Sequence, residues 1–300
     1  MQRSSFRVLV LGSAAGGGLP QWNCGCRNCA DARVGRIAPQ TQSSLAVSVD
    51  GTDWALLNAS PDIRHQLATA PALHPRQLRH SPVRSMVLTN GDLDHIAGLL
   101  VLREKQPFAL YSTPETRAVI EANAVFAALD RAHVAISDVG LDRHFDILPG
   151  LSAELFAVPG KVPLFLEQGE PQTDLEGGQT VGVAIERGGR RMVYVPGCAR
   201  MTPALAKRLA GADLVFFDGT LFADDEMVRA GTGAKTGRRM GHMPMSGPDG
   251  SMVAFDGLEV GRKVYIHINN TNPVWRDGPE RRAIAYLGWE VAKDGLEIAL

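Results

Sequence analysis

One buried strand, ending on three metal-type donors, limits this chain's fold more than any other feature. Residues 83–89 form an apolar, β-rich run that empties at once into Asp92-Leu93-Asp94-His95 and a helical stretch at 96–105. Alternate residues of an extended segment face the same way, so Asp92 and Asp94 point together, with His95 adjacent. Two carboxylates and an imidazole at such a place need a cation or a solvent-filled cleft, because burying them unpaired is costly. Helix capping is the plainer reading, since Asp92 or Asp94 can accept the first N–H groups of the helix that follows.

The strand-then-helix rhythm recurs. Strands are predicted at 6–11, 44–49, 54–57, 108–112, 152–158, 181–186, 191–195, 214–218 and 264–268, the second and third joined by a turn at Asp50-Gly51. Helices are predicted at 60–67, 113–129, 202–210 and 281–287, with Thr113 as cap, Pro114 in the first position and a terminal strand after the last. Residues 231–250 are rich in Gly and Met and read as a long loop, with a short helix inside 247–255. The glycine loop from Gly12 to Pro20 lacks both phosphate-cradling spacings. A 45% hydrophobic content fills a sizeable core, and no Pro/Ser-rich linker divides the chain, so residues 1–300 read as one α/β domain.

A formal net charge of −1, without a long basic cluster, argues against nucleic acid or an anionic membrane as partner. Nowhere do eighteen apolar residues run together, and the first apolar run is too short for a signal peptide. Membrane insertion is therefore not expected and a cytoplasmic location is. There, the four cysteines are metal ligands or free thiols rather than disulfides.

Cys24-Gly-Cys26-Arg-Asn-Cys29 places three thiols within six residues, in a loop at about 20–32. Three thiolates can wrap one face of a tetrahedral Zn(II), and a site closed by one distant donor is structural. Cys198, a distant histidine, or an oxygen or nitrogen donor such as Asn270 is open as the fourth ligand. Incidental thiols and a redox Cys26/Cys29 pair are the alternatives.

Several motifs extend the picture. Thr89-Asn-Gly-Asp-Leu-Asp-His95 resembles the Thr-His-x-His-x-Asp-His signature of the metallo-β-lactamase superfamily. Leu56-Leu-Asn-Ala-Ser-Pro-Asp-Ile63, Arg191-Met-Val-Tyr-Val-Pro-Gly-Cys198, Gly241-His-Met243 and Tyr265-Ile-His267 resemble its other motifs, in the right order. The resemblance implies an αβ/βα sandwich, two β-sheets face to face with helices outside and metal at the strand ends. It also exposes departures. Where the superfamily holds one metal with three histidines, this chain has Asn90, Asp92 and Lys161, and Cys198 stands in place of the bridging aspartate. Asp94, His95 and His267 survive for the other metal, with Asp92 as a further ligand or an orienting group. Two imidazoles and a carboxylate are the donor set of non-haem Fe(II) oxygenases.

Gln21-Trp-Asn-Cys-Gly-Cys-Arg-Asn-Cys29, Val195-Pro-Gly-Cys198, Phe217-Asp-Gly-Thr220, Gly241-His-Met-Pro-Met245 and His267-Ile-Asn-Asn-Thr-Asn-Pro273 narrow this further. Together they resemble the coenzyme PQQ synthesis protein B family over nearly the whole length. That resemblance implies a role in making pyrroloquinoline quinone, as an Fe(II)- and O₂-dependent hydroxylase of the tyrosine in a Glu–Tyr unit from a precursor peptide. A carrier of the quinone or its precursor towards the periplasm, and a metal-dependent phosphodiester or ester hydrolase, are the rival readings. Other proteins of the same biosynthesis are possible partners.

Around the metal, His242 reads as a proton shuttle or substrate contact in a flexible loop. Asp218, at a strand end before Gly219, either braces a ligand or makes a turn. Arg238, Arg239 and Lys161 are candidates for binding a substrate carboxylate. Cys198 either lines the site or fills space. Met240, Met243 and Met245 offer an adaptable apolar wall.

Overall fold

Two seven-stranded sheets pack face to face in the computed structural model, which describes residues 5–170 and 172–300. Residues 1–4, part of the N-terminal run considered above, lie outside the described residues, as does Pro171. The strands are β1 (Arg7–Gly12), β2 (Ser44–Ser48), β3 (Trp54–Leu57), β4 (Val83–Val87), β5 (Phe108–Ser112), β6 (Val134–Asp138) and β7 (His144–Leu148). There follow β8 (Leu151–Ala157), β9 (Val181–Arg187), β10 (Arg190–Val195), β11 (Leu214–Asp218), β12 (Arg262–Ile266), β13 (Trp289–Val291) and β14 (Glu297–Ala299). One sheet has the order β14-β1-β2-β3-β4-β5-β6 and the other β13-β12-β11-β10-β9-β8-β7.

Each sheet is half antiparallel and half parallel. Strands β14, β1, β2 and β3 pair antiparallel, whereas β3, β4, β5 and β6 run parallel. The second sheet mirrors this, with β7–β10 antiparallel and β10–β13 parallel. Parallel strands release their C-terminal ends on one edge, and ligands in open α/β sheets bind outside those ends.

Period-two alternation explains the layering. Val8 and Val10 of β1 face the core between the sheets together with Leu214 and Phe216 of β11. Leu9 and Leu11 turn outward to a second core under helix Ile63–Thr69, while Val215 and Phe217 join a third core on the far face. Helices thus cover both outer faces, the αβ/βα sandwich expected.

Three local expectations need correction. The helix read at 96–105 is a single α-turn, Leu93–Ile96, continued as a 3-10 helix Ala97–Leu102, because Gly98 packs against the Ser60 and Ala59 carbonyls. The helix begun by Thr113, whose hydroxyl accepts the Thr116 N–H, stops at Ala122. Extended Asn123 then breaks it before a 3-10 turn, Ala124–Ala128. The loop read at 231–250 holds a one-turn helix, Gly237–Met240, capped by Thr236 and closed by left-handed Gly241. Among the described residues no helix is long and apolar enough to cross a membrane.

Candidate metal site and its cavity

Asp94 and His95 follow β4, His267 follows β12, and Asp218 ends β11, so both sheets deliver side chains to one edge. A carboxylate oxygen of Asp94 and one ring nitrogen each from His95 and His267 lie within 4.8 Å of one another. Asp94 Oδ2 is 2.9 Å from His267 Nε2 and 3.8 Å from His95 Nε2.

Neighbouring groups decide which ring nitrogens face the cluster. The Asp92 N–H donates to Asn90 Oδ1, which assigns that atom as the amide oxygen, and His95 Nδ1 lies 2.8 Å from it. His95 therefore carries its proton on Nδ1. Its Nε2 is buried and lacks a hydrogen-bond partner among the described residues. Likewise the Thr220 hydroxyl donates to Asp218 Oδ1 at 2.7 Å and accepts from His267 Nδ1 at 2.9 Å. Both imidazoles consequently turn unprotonated Nε2 atoms toward Asp94. An orphaned buried nitrogen and two acceptors facing each other at 2.9 Å are explained by a cation held between them, so these residues fit a metal.

Burial works against a charged His267, but Asp94 outweighs it and raises the His267 pKa, so a metal and a proton compete for Nε2. Burial likewise opposes ionisation of Asp94, yet attraction to the neighbouring His95 and His267 rings outweighs it and holds its pKa below the usual carboxylate range. Burial depresses His95 to about 4, keeping it a neutral ligand despite the nearby Asp94 carboxylate. Asp92 differs: burial, then repulsion from Asp94, raises its pKa. It lines the same cavity, accepts the Leu164 N–H, and stands outside the three-donor cluster.

His267 sits at φ 58°, a left-handed conformation that costs a side-chain-bearing residue about 1–3 kcal/mol. The twist follows directly on β12, and Ile268 N–H then donates to the Ser13 carbonyl, docking the glycine loop against the site. A Cβ on Gly16 of that loop would lie 3.4 Å from Asp94 Oδ2.

Behind His267, Asp218 is fully buried and accepts four hydrogen bonds: from His242 Nδ1 at 2.7 Å, Cys198 N–H, Thr220 N–H and the Thr220 hydroxyl. His242 stacks on His267 with ring centroids 5.3 Å apart and, with Nδ1 bound to Asp218, presents Nε2 to the cavity. That cavity encloses about 420 Å³. Lys161 and Arg239 line it, both paired with Glu167, and Met240 contributes apolar wall. Arg238 points elsewhere, to Asp249. Cys198 is fully buried in the outer core, where its thiol donates to the Arg200 carbonyl and its pKa is pushed well up by burial. Met243 and Met245 pack in that same core.

Asn90 and Thr220 were not assigned positive roles from sequence. Asn90 reads as a lost ligand, although an amide two residues before Asp92 is also a natural turn acceptor. Thr220 is visible only as the end of Phe217-Asp-Gly-Thr220.

The cysteine cluster lies beside this site, tied to the same C-terminal segment. Cys26 caps helix Arg27–Arg33, and the three sulfurs converge within 4.8 Å. Backbone N–H groups of Cys26 and Gln21 donate to Cys24 and Cys29. Asn270 directs its amide group at all three sulfurs, at 3.1, 3.6 and 3.2 Å. Nitrogen and oxygen of such an amide exchange places by a simple flip, so an oxygen donor is available at this point. Asn28 donates to the Asn270 and Asn272 carbonyls and accepts from Arg276.

Two mixed sheets face to face, with carboxylate and histidine donors gathered at their parallel strand ends, define a metallo-β-lactamase-type protein. A beta-lactamase superfamily domain model matches residues 53–268. The chain is 60% identical to coenzyme PQQ synthesis protein B of Rhizobium meliloti, over 99% of each chain. It is 59% identical to that of Ruegeria pomeroyi, covering 98% of this chain and 100% of the relative. The crystal structure of Zn(2+)-bound PqqB from Methylobacterium extorquens superposes with a TM-score of 0.96 at 53% identity, over 98% of this chain and all of that one. A diphosphatase of the PhnP family shares the fold at a TM-score of 0.70 and 20% identity, over 99% and 97% of the two chains. The chain belongs to the coenzyme PQQ synthesis protein B family within the beta-lactamase superfamily.

Proposed function

We propose that this chain serves pyrroloquinoline quinone synthesis as an iron-dependent hydroxylase of the tyrosine in a Glu–Tyr unit. The observation that carries the reading is the donor set, Asp94, His95 and His267, whose free lone pairs converge beside a cavity of about 420 Å³. Asp94, His95 and His267 would hold ferrous iron, which would supply the redox chemistry of O₂-dependent ring hydroxylation, with two electrons and two protons from an external two-electron reductant balancing the second oxygen as water. Asn90 and Thr220 hold the two imidazoles in the ligating tautomer. His242 accepts the proton lost from the ring or phenol at Nε2, while Asp218 stabilises the resulting imidazolium. Lys161 and Arg239 bind substrate carboxylate across the cavity, and Met240 lies against the ring. Asp92 orients a water or contacts the metal.

A binuclear hydrolase is less well supported, because Asn90 is spent on orienting His95 and the Lys161 ammonium offers a second metal no lone pair. The three cysteines hold a structural Zn(II), with Asn270 Oδ1 as fourth ligand after an amide flip. The zinc-bound relative supports a divalent metal in this family, and zinc can also take the iron site under zinc-rich conditions. We place the protein in the cytoplasm, acting on a small peptide-derived substrate.

Anaerobic loading with Fe(II), then exposure to O₂ with a Glu–Tyr dipeptide and mass spectrometry, tests the reading. A hydroxylated ring, lost in His95→Ala and His267→Ala, is expected. An unchanged dipeptide in iron-loaded, reduced protein contradicts it.

A further inference from the structure

The cavity beside the metal donors already contains a carboxylate of the protein's own. Glu167 has a side chain only 8% exposed, with Oε1 2.9 Å from Lys161 Nζ and Oε2 3.1 Å from Arg239 Nη2. Lys161 comes from the segment after β8 and Arg239 from the one-turn helix Gly237–Met240, so Glu167 joins two separate loops. All three residues line the same cavity as Asp94, His95 and His267, and Lys235 lies on its wall as well. Arg239 is only half used. Its Nη1 is buried and has no hydrogen-bond partner among the described residues, whereas a guanidinium fork ordinarily offers a carboxylate two parallel N–H bonds. Two cations that line a ligand-sized cavity and share one carboxylate, with a guanidinium nitrogen left unsatisfied, make a carboxylate site filled imperfectly from within.

We propose that Lys161 and Arg239 form the subsite for a carboxylate of the ligand, and that Glu167 occupies this subsite until the ligand displaces it. The inference rests on reading the cavity as the substrate site. It names the ligand class as a carboxylate-bearing molecule whose other end reaches Asp94, His95 and His267. An internal competitor lowers apparent affinity by the fraction of molecules in which the subsite is vacant. A tethered group has an effective concentration of about millimolar or more, so its removal has a measurable effect. If Glu167 merely staples the two loops, its removal instead leaves affinity unchanged or weakens it.

The test is calorimetric titration of the full-length, metal-loaded protein and its Glu167→Gln, Arg239→Gln and doubly substituted forms. N-acetyl-L-tyrosine and N-acetyl-L-tyrosinamide differ only at the carboxylate, and succinate supplies carboxylate without a ring. Glu167→Gln is expected to tighten N-acetyltyrosine and succinate by about tenfold or more and to leave the amide unchanged, with the gain abolished by adding Arg239→Gln. Unchanged or weaker binding by a folded, metal-loaded Glu167→Gln protein overturns the proposal, as does a gain that survives Arg239→Gln. Where Glu167→Gln does not fold, Glu167→Asp must show a smaller gain in the same direction, and its absence also overturns the proposal. A gain for succinate alone sustains the subsite and removes the tyrosine reading.

Discussion

Asp94 Oδ2 and His267 Nε2 stand 2.9 Å apart across 173 positions of sequence, each offering a lone pair to the other. Two sheets meet at that contact, β4 leading to Asp94 and β12 to His267. Thr220 fixes the ring from behind through Nδ1.

Removing that brace should loosen the metal without removing a ligand. Thr220→Val and Asn90→Ala are each expected to weaken active-site metal binding by about 10–100-fold. Competition with a chromophoric chelator reads this directly. Metal bound by the cysteines should be unaffected, since neither residue contacts them.

Much of this frame was legible in the sequence, and the omissions share a cause. The interior strands were found because they are apolar on both faces. The missed strands β6, β7 and one of the two C-terminal strands, β13 and β14, lie at sheet edges. Val134–Asp138 buries only Val134, and His144–Leu148 only its last two residues, so neither shows a hydrophobic period. The gathering of Asp94, His95 and His267 as candidate ligands is legible through motif order. Asn90 and Thr220 were not, because their work is to hold a ring nitrogen, and that depends on a three-dimensional neighbour. Arg238 and Arg239, adjacent in sequence, were indistinguishable until the helix Gly237–Met240 turned one to Asp249 and the other to the cavity.

The cysteine cluster should act as a staple between the N-terminal loop and the Asn270 segment. Cys26→Ser, or chelation of its metal, is expected to cost about 2–3 kcal/mol, a fall in melting temperature of roughly 3–5 °C for a chain of this size. Asn270→Ala should cost less, leaving three sulfurs in place. Thermal melts paired with zinc analysis check both.

Glu226 makes stability depend on pH. Burial raises its pKa from the ordinary 4.5 to about 7, against hydrogen bonds from Thr271 and the Phe222 N–H. The folded chain therefore binds this proton more tightly than the unfolded one. The group's stabilising contribution is full below pH 4.5 and is lost as pH rises through about 7. Relative to Glu226→Gln, the unaltered protein should lose at most about 3 kcal/mol over that window, read from urea unfolding at pH 5 and pH 8.

Gly98 holds the turn after His95 against its neighbour. A Cβ there would lie 2.1 Å from the Ser60 carbonyl oxygen, and backbone cannot move aside cheaply. Gly98→Ala is expected to destabilise by about 1–3 kcal/mol. It should also weaken active-site metal binding, because the displaced turn carries His95. Denaturant midpoints and metal affinity measured on one preparation test the linkage.

The central claim, that Asp94, His95 and His267 support oxygen insertion, is tested most directly by isotope. Iron-loaded protein would be given a Glu–Tyr dipeptide under ¹⁸O₂ in ordinary water, with the product analysed by mass spectrometry. Labelled oxygen on the tyrosine ring, absent in His267→Ala, is the expected result. Oxygen derived from water, or a dipeptide returned intact from fully reduced, iron-loaded protein, would contradict the account.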